Sequence, residues 1–213
     1  MTGWSVIAIK GKQVPIIVDK NRKRREILQA AMRVFAREGY HRARIEAVAE
    51  EAGIGKGTVY EYFRSKTDLF IALHEHMLSE LKNYYMNELS EIREPALMLE
   101  RFIAVAFQTF RLWEPFFLVF FDFWAEGGRG EQQTLLQTRL REAYTVSRGE
   151  VAAIIIAGVK EGVFRCEHPL LAAASLLASL DGLVLQWLCD RNAFDLESMR
   201  ELFTQTTLRS LRP

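Results

Sequence analysis

The chain has little cysteine: Cys166 and Cys189 are the only two in 213 residues. Two thiols cannot build a disulfide framework, so a small stapled secreted scaffold is excluded and reduced side chains are expected. It also lacks a long uncharged apolar run. The most apolar segment, residues 169–189, is interrupted by Asp181 and reads as a buried helix rather than a membrane span. The run from Trp4 to Ile9 is too short for a signal-peptide core, and no small-residue cleavage site follows it. A cytoplasmic protein without a membrane partner is the resulting expectation. Strand pairs, repeats and low-complexity tracts are missing too, which leaves an all-α architecture.

Histidine is scarce, with four in the chain. His74 and His76 lie two apart on one helix and face different ways, and Cys166 with His168 has no second pair, so no metal is expected. No nucleophile, base and orienting acid can be assembled, which argues against an enzyme and implies no cofactor. The string from Gly53 to Thr58 is glycine-rich, but its lysine precedes Gly57, and a helix rather than a strand comes before it. It is not a phosphate-binding loop.

Charge of one sign is missing only on average. The net charge of +1 conceals 14 Lys/Arg against 7 Asp/Glu in residues 1–66 and 14 against 20 in the remainder. A basic first third ahead of an acidic body suggests that one part meets a polyanion.

What the chain does have is helical periodicity, enough for about nine helices. Residues 1–20 read as a flexible leader. A helix from Asp19 or Asn21 to Glu38 buries Ile27, Ala30, Ala31, Val34 and Phe35 behind the cluster Lys20, Arg22, Lys23, Arg24 and Arg25. Five cations beside the positive end of a helix dipole suit a nearby phosphate backbone. Ser65 to Asp68 forms a capping pattern for a long helix to about Glu91. Pro95 opens a helix over 95–112, and Pro115 opens another that ends at the glycines from 127. Helices over about 131–162, 169–190 and 195–211 follow.

Residues 44–63, RIEAVAEEAGIGKGTVYEYF, are the informative segment. Ile45, Val48, Ala49 and Ala52 share one face of a short helix. Gly53 tolerates positive φ, Ile54 plugs the corner, and Gly55 caps a second helix whose Val59 and Phe63 point inward. Lys56, Thr58, Tyr60, Glu61 and Tyr62 then project outward, a surface that a DNA major groove accepts.

This order of elements, with FAREGYHRARIEAVAEEAGIGKGTVYEYFRSKTDLF over residues 35–70, resembles the TetR family of bacterial helix-turn-helix transcription regulators. Gly39, Ala52, Gly53, Lys56, Gly57, Thr58, Tyr60, Phe63, Ser65, Lys66 and Leu69 carry the resemblance. It implies a helix-turn-helix DNA-binding domain at 21–66, with the motif at about 44–63, and a helical ligand-binding and dimerisation domain at 67–213. Thr58, Tyr60 and Lys66 would clamp phosphates, and Lys56, Gly57, Glu61 and Tyr62 would lie nearest base edges. The family usually has a threonine pair before the second helix. Here Ala43 and Arg44 stand in its place, so Arg44 would take the phosphate contact. Tyr62 replaces a common histidine.

Ten aromatics crowd residues 102–124, too many for one helical face to bury. Some would wall a cavity for a small apolar or aromatic molecule, with Phe107, Phe110, Phe117, Phe120, Phe121 and Trp124 as candidates and Gln108, Asp122 and Tyr144 as polar contacts. The eighth helix is apolar nearly all round, and its stripe of Ala172, Ser175, Ser179 and Gly182 beside Leu183 and Trp187 suits a second subunit. The leading expectation is a homodimeric repressor on double-stranded, palindromic operator DNA, released by that molecule. An activator, or a regulator without an effector, is the alternative within the class. A helical carrier of apolar ligands docking on anionic membranes is the alternative outside it.

Overall fold

A computed structural model of the protein describes residues 20–126 and 131–213, without the side chains of 122–126, 131–133 and 135–136. Residues 1–19 of the expected leader lie outside the described residues. Helix α1 (Lys20–Glu38) places Ile27, Leu28, Ala30, Ala31, Val34 and Phe35 on one stripe, and all six are fully buried. The short helices α2 (Ile45–Glu51) and α3 (Lys56–Tyr62) pack beneath it through Ile45, Val48, Ala49 and Val59. Gly53 turns the corner between them with a φ of 64°, a conformation that costs glycine little. The Ile54 N–H then closes onto the Ala49 carbonyl at 3.0 Å, and the Ile54 side chain packs against the same core.

Ser65 opens α4 (Lys66–Leu89): its hydroxyl accepts from the Asp68 N–H at 3.0 Å, while the Asp68 carboxylate accepts from the Arg64 N–H at 2.8 Å. Such a cap contributes about 1 kcal/mol. Leu69, Phe70 and Leu73 complete the first core. Beyond His74 the same helix turns its side chains toward a second set of helices.

Those are α5 (Pro95–Leu112), α6 (Glu114–Glu126), α7 (Glu131–Lys160), α8 (Pro169–Cys189) and α9 (Leu196–Ser210), which make nine helices and no strand among the described residues. Pro95 occupies the first turn of α5, where its missing N–H costs nothing, and Asp195 caps α9 by accepting from the Ser198 N–H at 2.8 Å. The chain bends by 75° between α5 and α6. The second core gathers Leu99, Ile103, Phe107, Val151, Ile155, Leu176, Leu180, Val184 and Trp187 from α5, α7 and α8. Val119 of α6 belongs to the first core instead, so α6 reaches back against α1.

Helix α7 comes close to the segment after it at Gly158, where an added Cβ would lie 2.1 Å from Cδ2 of the buried Phe164 ring. Gly158→Ala is expected to lower unfolding stability by about 1–3 kcal/mol through overpacking. Chemical denaturation reads this directly, and an unchanged midpoint would show that the ring does not rest there.

Candidate nucleic-acid interface and internal cavity

Helix α3 turns Val59 into the first core and leaves the opposite side open. Lys56, Gly57, Tyr60 and Glu61 are exposed, Tyr60 by 45%, while Thr58 and Tyr62 are half-buried. Lys56 Nζ pairs with Glu46 of α2 at 2.5 Å and lies 5.8 Å from the Tyr60 ring centroid. Both partners of that ion pair are about half exposed, so it contributes little and can exchange for a phosphate. A Cβ built on Gly57 meets no atom within 4 Å, which leaves the backbone open to a close approach from outside. Arg44 is exposed at the N-cap of α2 with extended backbone and no side-chain cap.

Tyr62 shares a small cleft with Lys20, Asn21, Arg24 and Glu61, and the Arg24 guanidinium lies 5.2 Å over the Phe63 ring. The basic start of α1 therefore borders the outer edge of α3. The cluster containing Lys20 and Arg24 is legible in the sequence as a phosphate-facing one, but its closeness to Tyr62 depends on tertiary packing.

Lys66 departs from the expected phosphate clamp. Its ammonium donates to the carbonyls of Tyr40, His41 and Ala43 at 2.8, 2.9 and 3.1 Å and lies 4.6 Å from the Tyr40 ring centroid. With three acceptors inside the chain, Lys66 ties the start of α4 to the loop between α1 and α2. Arg33 and Arg37 do similar work for α2, holding Glu51 at 2.6 and 3.3 Å.

In the second set of helices, α4, α5, α6, α7 and α8 border a cavity of about 790 Å³, open to solvent beside Tyr144 and Asp181 and within the range of small-molecule sites. Of the residues proposed from sequence as ligand contacts, Phe110, Phe117, Phe120, Phe121 and Tyr144 line it; Phe102, Phe116 and Tyr85 add further rings. Phe107 does not line it, because it is buried in the second core against Phe110 and Phe203. Gln108 does not either: it is exposed and accepts from the Tyr84 hydroxyl at 3.0 Å. The side chains of Asp122 and Trp124 lie outside the described residues.

Two further polar groups line the cavity, His74 and Asp181. His74 is 2% exposed, with ring centroids 5.7 Å from Phe116 and 5.3 Å from Phe120, and its Nδ1 has no hydrogen-bond partner among the described residues. Burial pulls its pKa down to about 4, so the imidazole is neutral at pH 7. Asp181 accepts a hydrogen bond from the Tyr144 hydroxyl at 2.7 Å. Partial desolvation raises the Asp181 pKa, and the bond from Tyr144 opposes the rise. The single charge in an apolar helix was the available sequence signal.

On α8, Ser175 and Ser179 are exposed and Ala172, Gly182 and Leu183 half-buried. Trp187, expected at a subunit interface, is instead buried in its own domain with Arg191 stacked 4.3 Å over its ring. Gly182 lines the cavity.

Two short helices presenting an open outer face, followed by a cavity-bearing helical body, define a helix-turn-helix DNA-binding regulator. Residues 27–73 match the model of the bacterial regulatory proteins of the tetR family, and residues 95–212 match that of the BetI-type transcriptional repressor C-terminal domain. The chain belongs to the TetR family of DNA-binding transcriptional regulators, which act without catalysis. It is 26% identical over 192 residues to the uncharacterized HTH-type transcriptional regulator YhgD of Bacillus subtilis, covering 89% of this chain and 96% of that one. Among solved structures, a putative transcriptional regulator from Saccharomonospora viridis in complex with choline superposes with a TM-score of 0.77 at 27% identity, covering 87% and 95% of the two chains. FadR from Bacillus subtilis in complex with stearoyl-CoA shares the fold, with a TM-score of 0.73 at 20% identity and coverage of 86% and 97%.

The His74 pKa makes stability depend on pH. The unfolded chain binds a proton near pH 6.5 and the folded chain only near pH 4, so stability is full above pH 6.5 and falls as pH drops through that window. Between pH 7 and 5 this group should account for a loss of about 2 kcal/mol. His74→Leu should flatten denaturation midpoints over that interval, where carboxylates contribute least. A variant with the wild-type slope would remove His74 as the cause.

Proposed function

We propose that the protein is a homodimeric repressor whose two third helices enter successive major grooves of a palindromic operator, and that a small apolar or aromatic effector releases it. The observation that carries this reading is the double role of α6. Phe116, Phe117, Phe120 and Phe121 wall the cavity, while Val119 packs into the core of the DNA-binding module. A ligand that moves those rings moves a helix resting on α1, and binding to ligand and DNA are then reciprocally coupled. Relatives support an effector of some kind: one neighbour is described with choline and another with stearoyl-CoA.

The dimer reading rests on α8. In the most apolar part of this helix 28% of residues are buried within one chain, and Leu171, Ser175, Ala178 and Ser179 face outward beside Leu202 of α9. A second copy would cover that face, with about 800 Å² buried per subunit for a stable pair. Two-fold symmetry would set the α3 helices about 34–36 Å apart, the spacing of successive major grooves. A regulator of this kind works in the bacterial cytoplasm, where the chromosome lies.

Footprinting on the DNA upstream of the protein's own gene should protect an inverted repeat, and an effector should abolish the protection. Protection of a single unrepeated half-site would contradict the dimer, and protection unaffected by any bound ligand would contradict release. Arg44 at the start of α2 and Lys56, Thr58, Tyr60, Glu61 and Tyr62 on α3 are the proposed DNA contacts, with Gly57 giving backbone access. Gly57→Ala should leave the fold intact or stabilise it by about 0.5 kcal/mol, because alanine is the better helix former. Operator affinity in gel-shift titrations should nevertheless fall about tenfold. Unchanged affinity would place the duplex elsewhere.

A further inference from the structure

The chemistry of the cavity wall goes beyond apolar. Among its described lining residues are four carboxylates, Glu75, Glu142, Glu150 and Asp181, against two cations, Lys82 and Arg139. The cations are already engaged: Arg139 with Glu75 at 3.0 Å and with Glu142 at 3.1 Å, and Lys82 with Glu150 at 3.5 Å. His74 is neutral and adds no positive charge. Asp181 has no lysine or arginine within ion-pair distance among the described residues, and its one hydrogen bond comes from Tyr144. Arg148 acts on the Tyr144 hydroxyl and bonds Thr145 rather than Asp181.

Around that carboxylate the wall is aromatic. Tyr144 touches it, and Tyr85 is close enough for the Asp181 charge to oppose its ionisation. Tyr85 in turn packs on Phe102 at a centroid distance of 4.8 Å. A carboxylate with no lysine or arginine partner among the described residues attracts a cation by direct Coulomb attraction, and the neighbouring aromatic side chains can add their quadrupoles to a cation lodged beside it. An independent sign that the cavity is built for a ligand is His74 Nδ1, a buried ring nitrogen on the same wall with no partner among the described residues. Leaving such an atom unpaired is costly.

We propose that the effector is a lipophilic cation: a quaternary or protonated amine with an extended or aromatic apolar body. Its charge lies against Asp181, Tyr85 and Tyr144, its body lies among Phe110, Phe117 and Phe120, and His74 Nδ1 meets a polar atom of that body. This rests on the effector-responsive reading above and narrows it. Choline alone would fill a small part of about 790 Å³. An acyl-CoA brings several phosphate charges to a wall that already carries excess negative charge. Neither neighbour's ligand therefore fits as it stands.

The test uses the full-length protein and four matched probes: decyltrimethylammonium, decanol, decanoate and choline, all below their micelle concentrations. Calorimetric titration should rank decyltrimethylammonium at least about tenfold tighter than decanol, with decanoate and choline weaker still. Asp181→Asn, which keeps the acceptor for Tyr144, should weaken the cation about tenfold while leaving the decanol affinity within twofold. Tyr144→Phe, which keeps the ring, should retain most of the cation affinity. Decanoate binding as well as the cation, or a cation affinity unchanged in Asp181→Asn, overturns the proposal. If that variant fails to fold, the charge ranking in the wild type decides alone. No binding by any probe overturns it as well. Gel shifts with the same probes separate the two layers. Decanoate that binds and releases DNA leaves the responsive regulator standing without the cation. A cation that binds as described but leaves operator affinity unchanged keeps the ligand chemistry and removes the response.

Discussion

Helix α6 constrains the rest of the molecule because neighbouring side chains on it serve two different cores. Val119 is 2% exposed within the cluster formed by α1 to α4, while Phe120 stacks on His74, Phe116 packs against it at a tilt, and both wall the cavity beside Phe117 and Phe121. Close-packed interiors do not deform continuously. A shift of these rings therefore has to be absorbed either at the cavity or at the contact with α1. A further link between the two halves is α4, continuous from the cap at Ser65 to Leu89, and Leu140 of α7 also packs against the first core. The N-terminal module is thus attached to the cavity through one rigid helix and braced by another.

The module itself depends on a half-buried polar arrangement at the start of α4. Lys66 donates to three carbonyls of the loop after α1, and the Tyr40 ring lies beside the same ammonium while its hydroxyl bonds Thr67 at 3.0 Å. Tyr40 also packs edge-on against Phe70 at 5.1 Å. Polar strapping and aromatic packing thereby fix the entry of α4 relative to α1. The orientation of α3 on the outer side follows from that frame, since its own seven residues are too few to hold a position alone.

Local chemistry made most of the fold legible. The stripe on α1, the glycine turn at Gly53, the Ser65 and Asp195 caps and the proline at the start of α5 are each decided within a few residues, and the boundaries read from them agree with the observed ones to within about two residues. What sequence could not assign was the facing of aromatics and long polar side chains. Phe107 and Phe110 are three apart on one helix, yet only Phe110 reaches the cavity, because the 75° bend into α6 decides which side is enclosed. Lys66 matched a motif whose family role is phosphate contact, and only three-dimensional proximity to the loop carbonyls reveals its internal partners. Trp187 was assigned outward from a stripe of small residues, but a side chain of that size is drawn into its own core when the packing leaves room. Asp181 stood out in the sequence as a charge in an apolar helix, whereas His74 stood out only beside His76. Their shared cavity joins α4 to α8, a pairing that no local pattern encodes.

Under the proposed function, the energetics of the response can be weighed against the contacts available to transmit it. Coupling between ligand and DNA of about 1–3 kcal/mol is typical, and an aromatic pair contributes about 0.5–1.5 kcal/mol beyond its buried area. Exchanging the packing of Phe116 and Phe120 against His74 for packing against a ligand is therefore of the right order by itself. No large rearrangement of the second core is required. A ligand accommodated among the α5, α7 and α8 side chains alone would gain affinity without differential binding to the two states, and so would shift nothing. The response has to come from the part of the ligand that displaces the α6 rings, while the charged end at Asp181 supplies affinity and selection. Recognition and signalling would then occupy opposite ends of one cavity, with the DNA-binding module bearing on the α6 end.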